Sequence, residues 1–289
     1  MKKHFGLAVV SFVLASAGFA QSPRTMSFPL LGTNQLTDEV VDYHPNLKRI
    51  EAPKPGGSYL VDPRDVLKEK VNAKRRKHQG GGFKDVVLGN AASPWINASF
   101  QGNPGVSGVP NDNGIAVNKQ QTVVSVINSN LSVFDVEGDR LYYKSLQGFS
   151  DNLGIEERKF DPRVVYVPSR DRFVVVYLAG STSAGTYLML GFSDTNDPLG
   201  AWHHYALPGD ADNLNVWSDY PIVALKKDEI FVSLNLIRDG EPWETGFEGS
   251  IVWQIDLDNG FNGEELTTRY WPTAQHEDKK VRNLCLVKD

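Results

Sequence analysis

The sequence predicts an all-β fold, and three observations carry that prediction. Between Phe160 and Leu207, four short runs at 163–167, 172–178, 186–192 and 202–207 are rich in Val, Tyr, Phe and Leu and are bounded by Gly, Pro, Asp and Ser. Runs of that length and composition are strands rather than helices. The same grammar recurs upstream at 112–117, 122–127, 131–135 and 140–144, and downstream at 219–225, 229–234, 249–256 and 264–270. From Phe83 onward no helical periodicity returns. Four consecutive strands joined by tight turns form an up-and-down sheet, the unit of a β-propeller blade. Segments that repeat this way are expected to stack as blades.

Lys2 and Lys3, the apolar stretch 5–17 and the small-x-small pattern Gly18-Phe19-Ala20 read as an export signal, residues 1–20, cleaved before Gln21. The apolar stretch is shorter than the roughly 20 residues a membrane-crossing helix needs, so no membrane span is expected after cleavage. The bacterial style of the signal places the protein in the periplasm, at the cell surface or in the medium. Residues 21–82 form a second region. Its first part, 21–51, is polar and aperiodic and reads as an extended arm. After the breaker cluster Ala52-Pro53-Lys54-Pro55-Gly56-Gly57 comes one short helix. It is capped by Asp62 and Pro63, carries Val66, Leu67 and Val71 on one face, and is stopped by Gly80-Gly81-Gly82. The cations at 74–78 read as the solvated end of that helix rather than a polyanion contact. The blades occupy 83–289.

Composition removes several classes of function. A net charge of −5 gives no reason to expect a nucleic-acid partner. One cysteine, Cys285, excludes an intramolecular disulfide and a cysteine zinc site. His203 and His204 are adjacent on a strand, so alternation sends them to opposite faces and they cannot share a metal. No phosphate-binding glycine loop or nucleophile elbow is present.

Each of the three repeats opens on an aspartate, at Asp112, Asp161 and Asp219, with spacings of 49 and 58 residues. Three such sheets leave apolar faces uncovered, and residues 283–289 read as the first strand of a fourth. The chain is therefore expected to be an incomplete propeller, about three blades plus the start of another, within a longer protein. First strands line a propeller's axis, so the three acids are expected to meet at one end of the channel. There they are candidates for a general acid, a general base and a pKa modulator, or for holding Ca²⁺. An aspartate before Pro or Gly also simply caps a turn. Arg163, Trp217, Tyr220 and Asn235 lie beside these acids and are the candidate ligand-binding residues.

The turn from Ser193 to Trp202, with Asp197-Pro198-Leu199-Gly200-Ala201 inside it, resembles the Asp-box of sialidase-type propellers, although its spacing departs from the usual box. In that family the box is structural: its Asp satisfies turn amides, its Gly takes a conformation other residues resist, and its Trp packs between sheets. Phe160-Asp161-Pro162-Arg163 resembles the Asp-Pro strand of five-bladed glycoside hydrolases of family 43, where an axial Asp opens a blade. Asp219 stands where that family places a Glu, and Arg163 is a single axial arginine where sialidases have three. Residues 160–234 are also similar to a broad group of exported bacterial proteins, which implies a secreted propeller without implying a reaction. The functional expectation is an exported, non-catalytic binding module for a glycan or cell-surface polymer. The alternative is a glycoside hydrolase working through the axial carboxylates.

Overall fold

A computed structural model describes residues 22–36, 99–100, 102–103, 112–128, 130–151, 153–276 and 279–285. The expected export signal, the helix after Asp62 with its basic cluster, and residues 286–289 lie outside them. The arm supplies the first two strands, β1 (Arg24–Phe28) and β2 (Gly32–Gln35). The first repeat gives β3 (Gly114–Val117), β4 (Val123–Ile127), β5 (Asn130–Phe134) and β6 (Arg140–Ser145). The second gives β7 (Lys159–Val167), β8 (Arg172–Thr182), β9 (Gly185–Ser193) and β10 (Ala201–Pro208). The third gives β11 (Val216–Lys226), β12 (Glu229–Arg238), β13 (Phe247–Asp256) and β14 (Leu266–Trp271). A small hairpin, β15 (Gln275–His276) and β16 (Lys279–Lys280), follows.

The fold is all-β, built of antiparallel sheets that do not close into a barrel. Each repeat forms one antiparallel meander, with strand orders β3-β4-β5-β6, β2-β10-β9-β8-β7 and β1-β14-β13-β12-β11. The arm therefore does more than link. β1 pairs along β14 and β2 along β10, so Arg24–Phe28 and Gly32–Gln35 become the fifth strands of the third and second sheets. Leu31 N–H donates to His204 O at 2.8 Å between them. The polarity of the arm hides this role from the sequence, because an edge strand buries little of itself.

The pattern along β8 shows how the sheets stack. Val174, Val176 and Leu178 enter one core, shared with Ile230, Val232, Leu234 and Trp253 of the third sheet. Phe173, Val175, Tyr177 and Ala179 enter another, shared with Val124, Val126, Leu131 and Val133 of the first sheet. Both faces of the middle sheet are thus covered, which is why residues 173–179 are apolar without alternation. The third sheet alternates instead. On β12 the even positions face the middle sheet, while Phe231, Ser233, Asn235 and Ile237 point away from it. The adjacent histidines split the same way: His204 is fully buried against the Phe149 ring at 5.0 Å, and His203 faces Thr33 and Asp194.

The Asp-box-like turn does the structural work expected of it, with one difference. Asp197 Oδ1 accepts from Leu199 N–H at 2.9 Å, Ser193 Oγ accepts from Phe173 N–H at 2.9 Å, and the buried Trp202 donates from Nε1 to Pro198 O at 2.9 Å. Gly200, expected in a conformation other residues resist, does not occupy the left-handed region. Glycine is favoured there by crowding, since a Cβ would stand 3.2 Å from Asp197 O. The strand expected from residue 283 is not formed over 283–285. Asn283 instead takes φ 54°, and Ser233 Oγ donates to Leu284 O at 2.8 Å, which lays this segment against the outward face of β12.

Candidate functional site

β7 lies beside both β3 and β11, so the three first strands run next to one another. Two of them are broken by a bulge near the start: pairing with the second strand skips between Phe160 and Arg163 in β7, and between Asp219 and Ile222 in β11. Matching the registers makes Asp161 equivalent to Tyr220, and Phe160 equivalent to Asp219. Counting back in the same way from Gly114, which pairs with Val126, places Asp112 at the corresponding position of the first sheet. All three positions have left-handed backbone, with φ 46° at Asp112, 49° at Asp161 and 55° at Tyr220. Aspartate tolerates this conformation; a tyrosine there is strained and needs its surroundings to hold it. The repeating feature is therefore the left-handed bulge rather than the acid, and Asp219 stands one residue out of step.

The three carboxylates nevertheless converge. Burial first, then the neighbouring Asp219 and Asp112, push Asp161 up to about 7, against a smaller opposing effect of Arg163. Burial likewise raises Asp219, offset in part by an N–H from Tyr220 and by a hydrogen bond from Asp161. Asp161 thus shares hydrogen-bonding contact with both other acids. Asn128, at the end of β4, locks the arrangement. Its Nδ2 donates to Asp112 at 3.3 Å and to Asp161 at 3.4 Å, while its Oδ1 accepts from Asp161 N–H at 3.3 Å. Among the described residues no group of three or more His, Cys, Asp or Glu is arranged to hold a metal ion.

Arg163 is committed to holding the bulges together. Its Nε donates to Pro221 O at 3.2 Å, its Nη1 donates to Pro162 O at 3.0 Å, and its guanidinium lies 5.9 Å from the Tyr220 ring centre. These contacts restrain the strained Tyr220. Trp217 packs edge-on against Phe160, with ring centres 6.3 Å apart, between the second and third sheets.

Tyr220 and Asn235 belong to a different feature, a pocket of about 250 Å³ at the starts of β11 and β13. It is lined by Asp219, Tyr220, Asn235, Ile237, Trp243, Arg282 and Asn283. Asn235 lies mid-strand rather than at a turn, and its amide is fully engaged on one face. It accepts from Ser250 Oγ at 2.8 Å and from Asn283 N–H at 3.1 Å, and donates to Asn283 Oδ1 at 2.5 Å. Trp243 is 52% exposed and Tyr220 44%, so two large aromatic rings stand open at the rim. Trp243 sits in the four-residue helical turn Trp243–Gly246 of the polar insert between β12 and β13. Arg238 braces that insert through Glu241, Glu248 and the Thr245 carbonyl.

Sequence reasoning did not find Asn128, Trp243, Arg282 or Asn283. A tryptophan isolated in a polar insert was a usable signal for Trp243. The others have no local signature, because only the packing of distant segments brings them to the site. Comparison of the chain with protein-family models, curated proteins and solved structures found no match.

Proposed function

We propose that the chain is an exported, non-catalytic module whose three meanders are β-propeller blades, and that the pocket beside Asp219 binds a glycan or similar surface polymer. The observation that carries this reading is the pocket rim. Two solvent-exposed aromatic rings, Trp243 and Tyr220, flank the amides of Asn235 and Asn283 and the carboxyl of Asp219. Exposed rings offer apolar faces to the C–H faces of sugars, and amides and a carboxyl read hydroxyl groups. The propeller arrangement is supported by three similar meanders packed face to face with their first strands adjacent.

The carboxylates favour binding over hydrolysis. Glycosidase acids stand about 5–9.5 Å apart so that a sugar or water fits between them. Here Asp161 interacts with Asp219 and Asp112 and is held by Asn128, an arrangement that favours a locked cluster over a free acid–base pair. One feature supports the hydrolase reading, the protonated state of Asp161 near neutrality, as a general acid requires. Titrating the mature chain with a panel of soluble polysaccharides, read by calorimetry, tests the binding reading. Trp243→Ala is expected to weaken the best ligand at least about tenfold by removing a stacking face. A panel with no binder, or a binder indifferent to this substitution, rejects the assignment. Release of reducing ends by the wild type that is lost in Asp161→Asn would replace it with the hydrolase.

A further inference from the structure

Arg282 differs from the arginines of the chain that meet a carboxylate. Arg24, Arg170, Arg238 and Arg269 each meet a carboxylate. Arg282 forms no ion pair among the described residues. Its guanidinium lies 5.1 Å from the Trp243 ring centre and 4.3 Å from that of Phe247, and its Nη2 donates to Trp243 O at 2.7 Å. Stacking and one carbonyl thus immobilise the cation without neutralising it, while it lines the pocket. Glu248, an acid of the strand below, is already taken by Arg238 and Lys280. A guanidinium fixed in this way has paid most of its ordering entropy in advance and presents its remaining N–H edge for paired hydrogen bonds to a planar anion. Arg163, the other arginine near the acids, does not line the pocket, and its Nε and Nη1 donate to Pro221 O and Pro162 O.

We propose that Arg282 is the anion anchor of this pocket and that the ligand is a carboxylated sugar, such as a uronic-acid unit of an acidic polysaccharide. The proposal rests on reading the pocket as a glycan site and adds the charge of the glycan. The sugar carboxylate meets the Arg282 fork, its ring faces Trp243 or Tyr220, and its hydroxyls meet Asn283 and Asp219. Asp219 opposes the anion less than a solvated carboxylate would, because burial raises its pKa.

The test compares oligogalacturonate with its methyl ester on the unmodified mature chain, by calorimetry at low and high ionic strength. The acid is expected to bind roughly tenfold tighter than the ester at low salt, and the advantage to shrink at high salt. In Arg282→Gln the preference for the acid over the ester is expected to disappear; Arg282→Lys, which keeps the charge and loses the fork, falls between. Equal binding of acid and ester by the wild type, or a preference that survives in Arg282→Gln, overturns the anchor while leaving the glycan reading intact. Binding of neither form overturns both for this ligand class. The acid–ester comparison uses the wild-type protein, so it does not depend on how any variant folds.

Discussion

Asp161 holds its proton because folding buries its carboxyl beside two other carboxylates, and that has a consequence for stability. An unfolded aspartate ionises near 3.9, whereas this one does so at about 7 in the folded chain. The folded state therefore binds the proton more tightly, so its contribution to stability is complete below about pH 4. It declines as the pH rises toward 7 and stays lost above that. The gap between the two values bounds the effect at about 4 kcal/mol, and partial solvent access brings the expected figure to about 1–2 kcal/mol. Asp161→Asn, isosteric with the protonated acid, should raise the melting temperature at pH 8 and leave it nearly unchanged at pH 4. A variant destabilised more at pH 8 than at pH 4 would show that the carboxyl is needed ionised, which is the opposite sign.

At the scale of the element, the arm is the least expected part of the structure. β1 and β2 cover the outer edges of β14 and β10, and Met26, Phe28 and Leu30 pack against the core between the second and third sheets. Phe28 meets Trp253 edge-on at 5.7 Å, and Thr268 Oγ1 donates to Met26 O at 3.0 Å. Removing residues 22–36 would uncover two strand edges, and open edges invite pairing with other chains. The truncated protein is expected to melt at least several degrees lower and to self-associate at concentrations where the full mature chain is monodisperse. Light scattering beside thermal denaturation checks both. A truncated chain with unchanged melting and no association would mean that these strands contribute nothing beyond their own order.

At the scale of the molecule, the middle sheet couples everything. Its two faces supply both cores, with Trp202 buried on the side of the first sheet and Trp253 buried across the other core. The Arg170 guanidinium adds a link at the turns, bonding Asp258 at 2.6 Å and Asp228 at 2.9 Å from the β7–β8 turn. A chain coupled this way should unfold in one calorimetric transition. Trp202→Ala and Trp253→Ala, although in different cores, should each lower that same transition by about 3–5 kcal/mol. Two transitions, one sensitive to each substitution, would show that the sheets fold as independent units.

Much of this architecture was legible in the chain. Turn residues and run lengths located all twelve strands of the three meanders, because strand boundaries depend on local chemistry: Gly, Asp, Asn and Pro at turns, Val and aromatics between them. The Asp197 turn was correctly structural, whereas the covering of both faces of β8 emerged only from the packing. The convergence of Asp112, Asp161 and Asp219 also followed from equivalent placement, although only strand pairing put Asp219 one residue from the repeating bulge and placed Tyr220 there instead. A bulge leaves little trace in composition, since it shifts register without changing residue type. The arm's role, the commitment of Arg163 to two proline carbonyls, and the pocket joining Tyr220, Trp243 and Arg282 were decided by tertiary structure alone. Each depends on which distant segments meet, and in an antiparallel sheet that is fixed by register and edge pairing rather than by the residues of any one stretch.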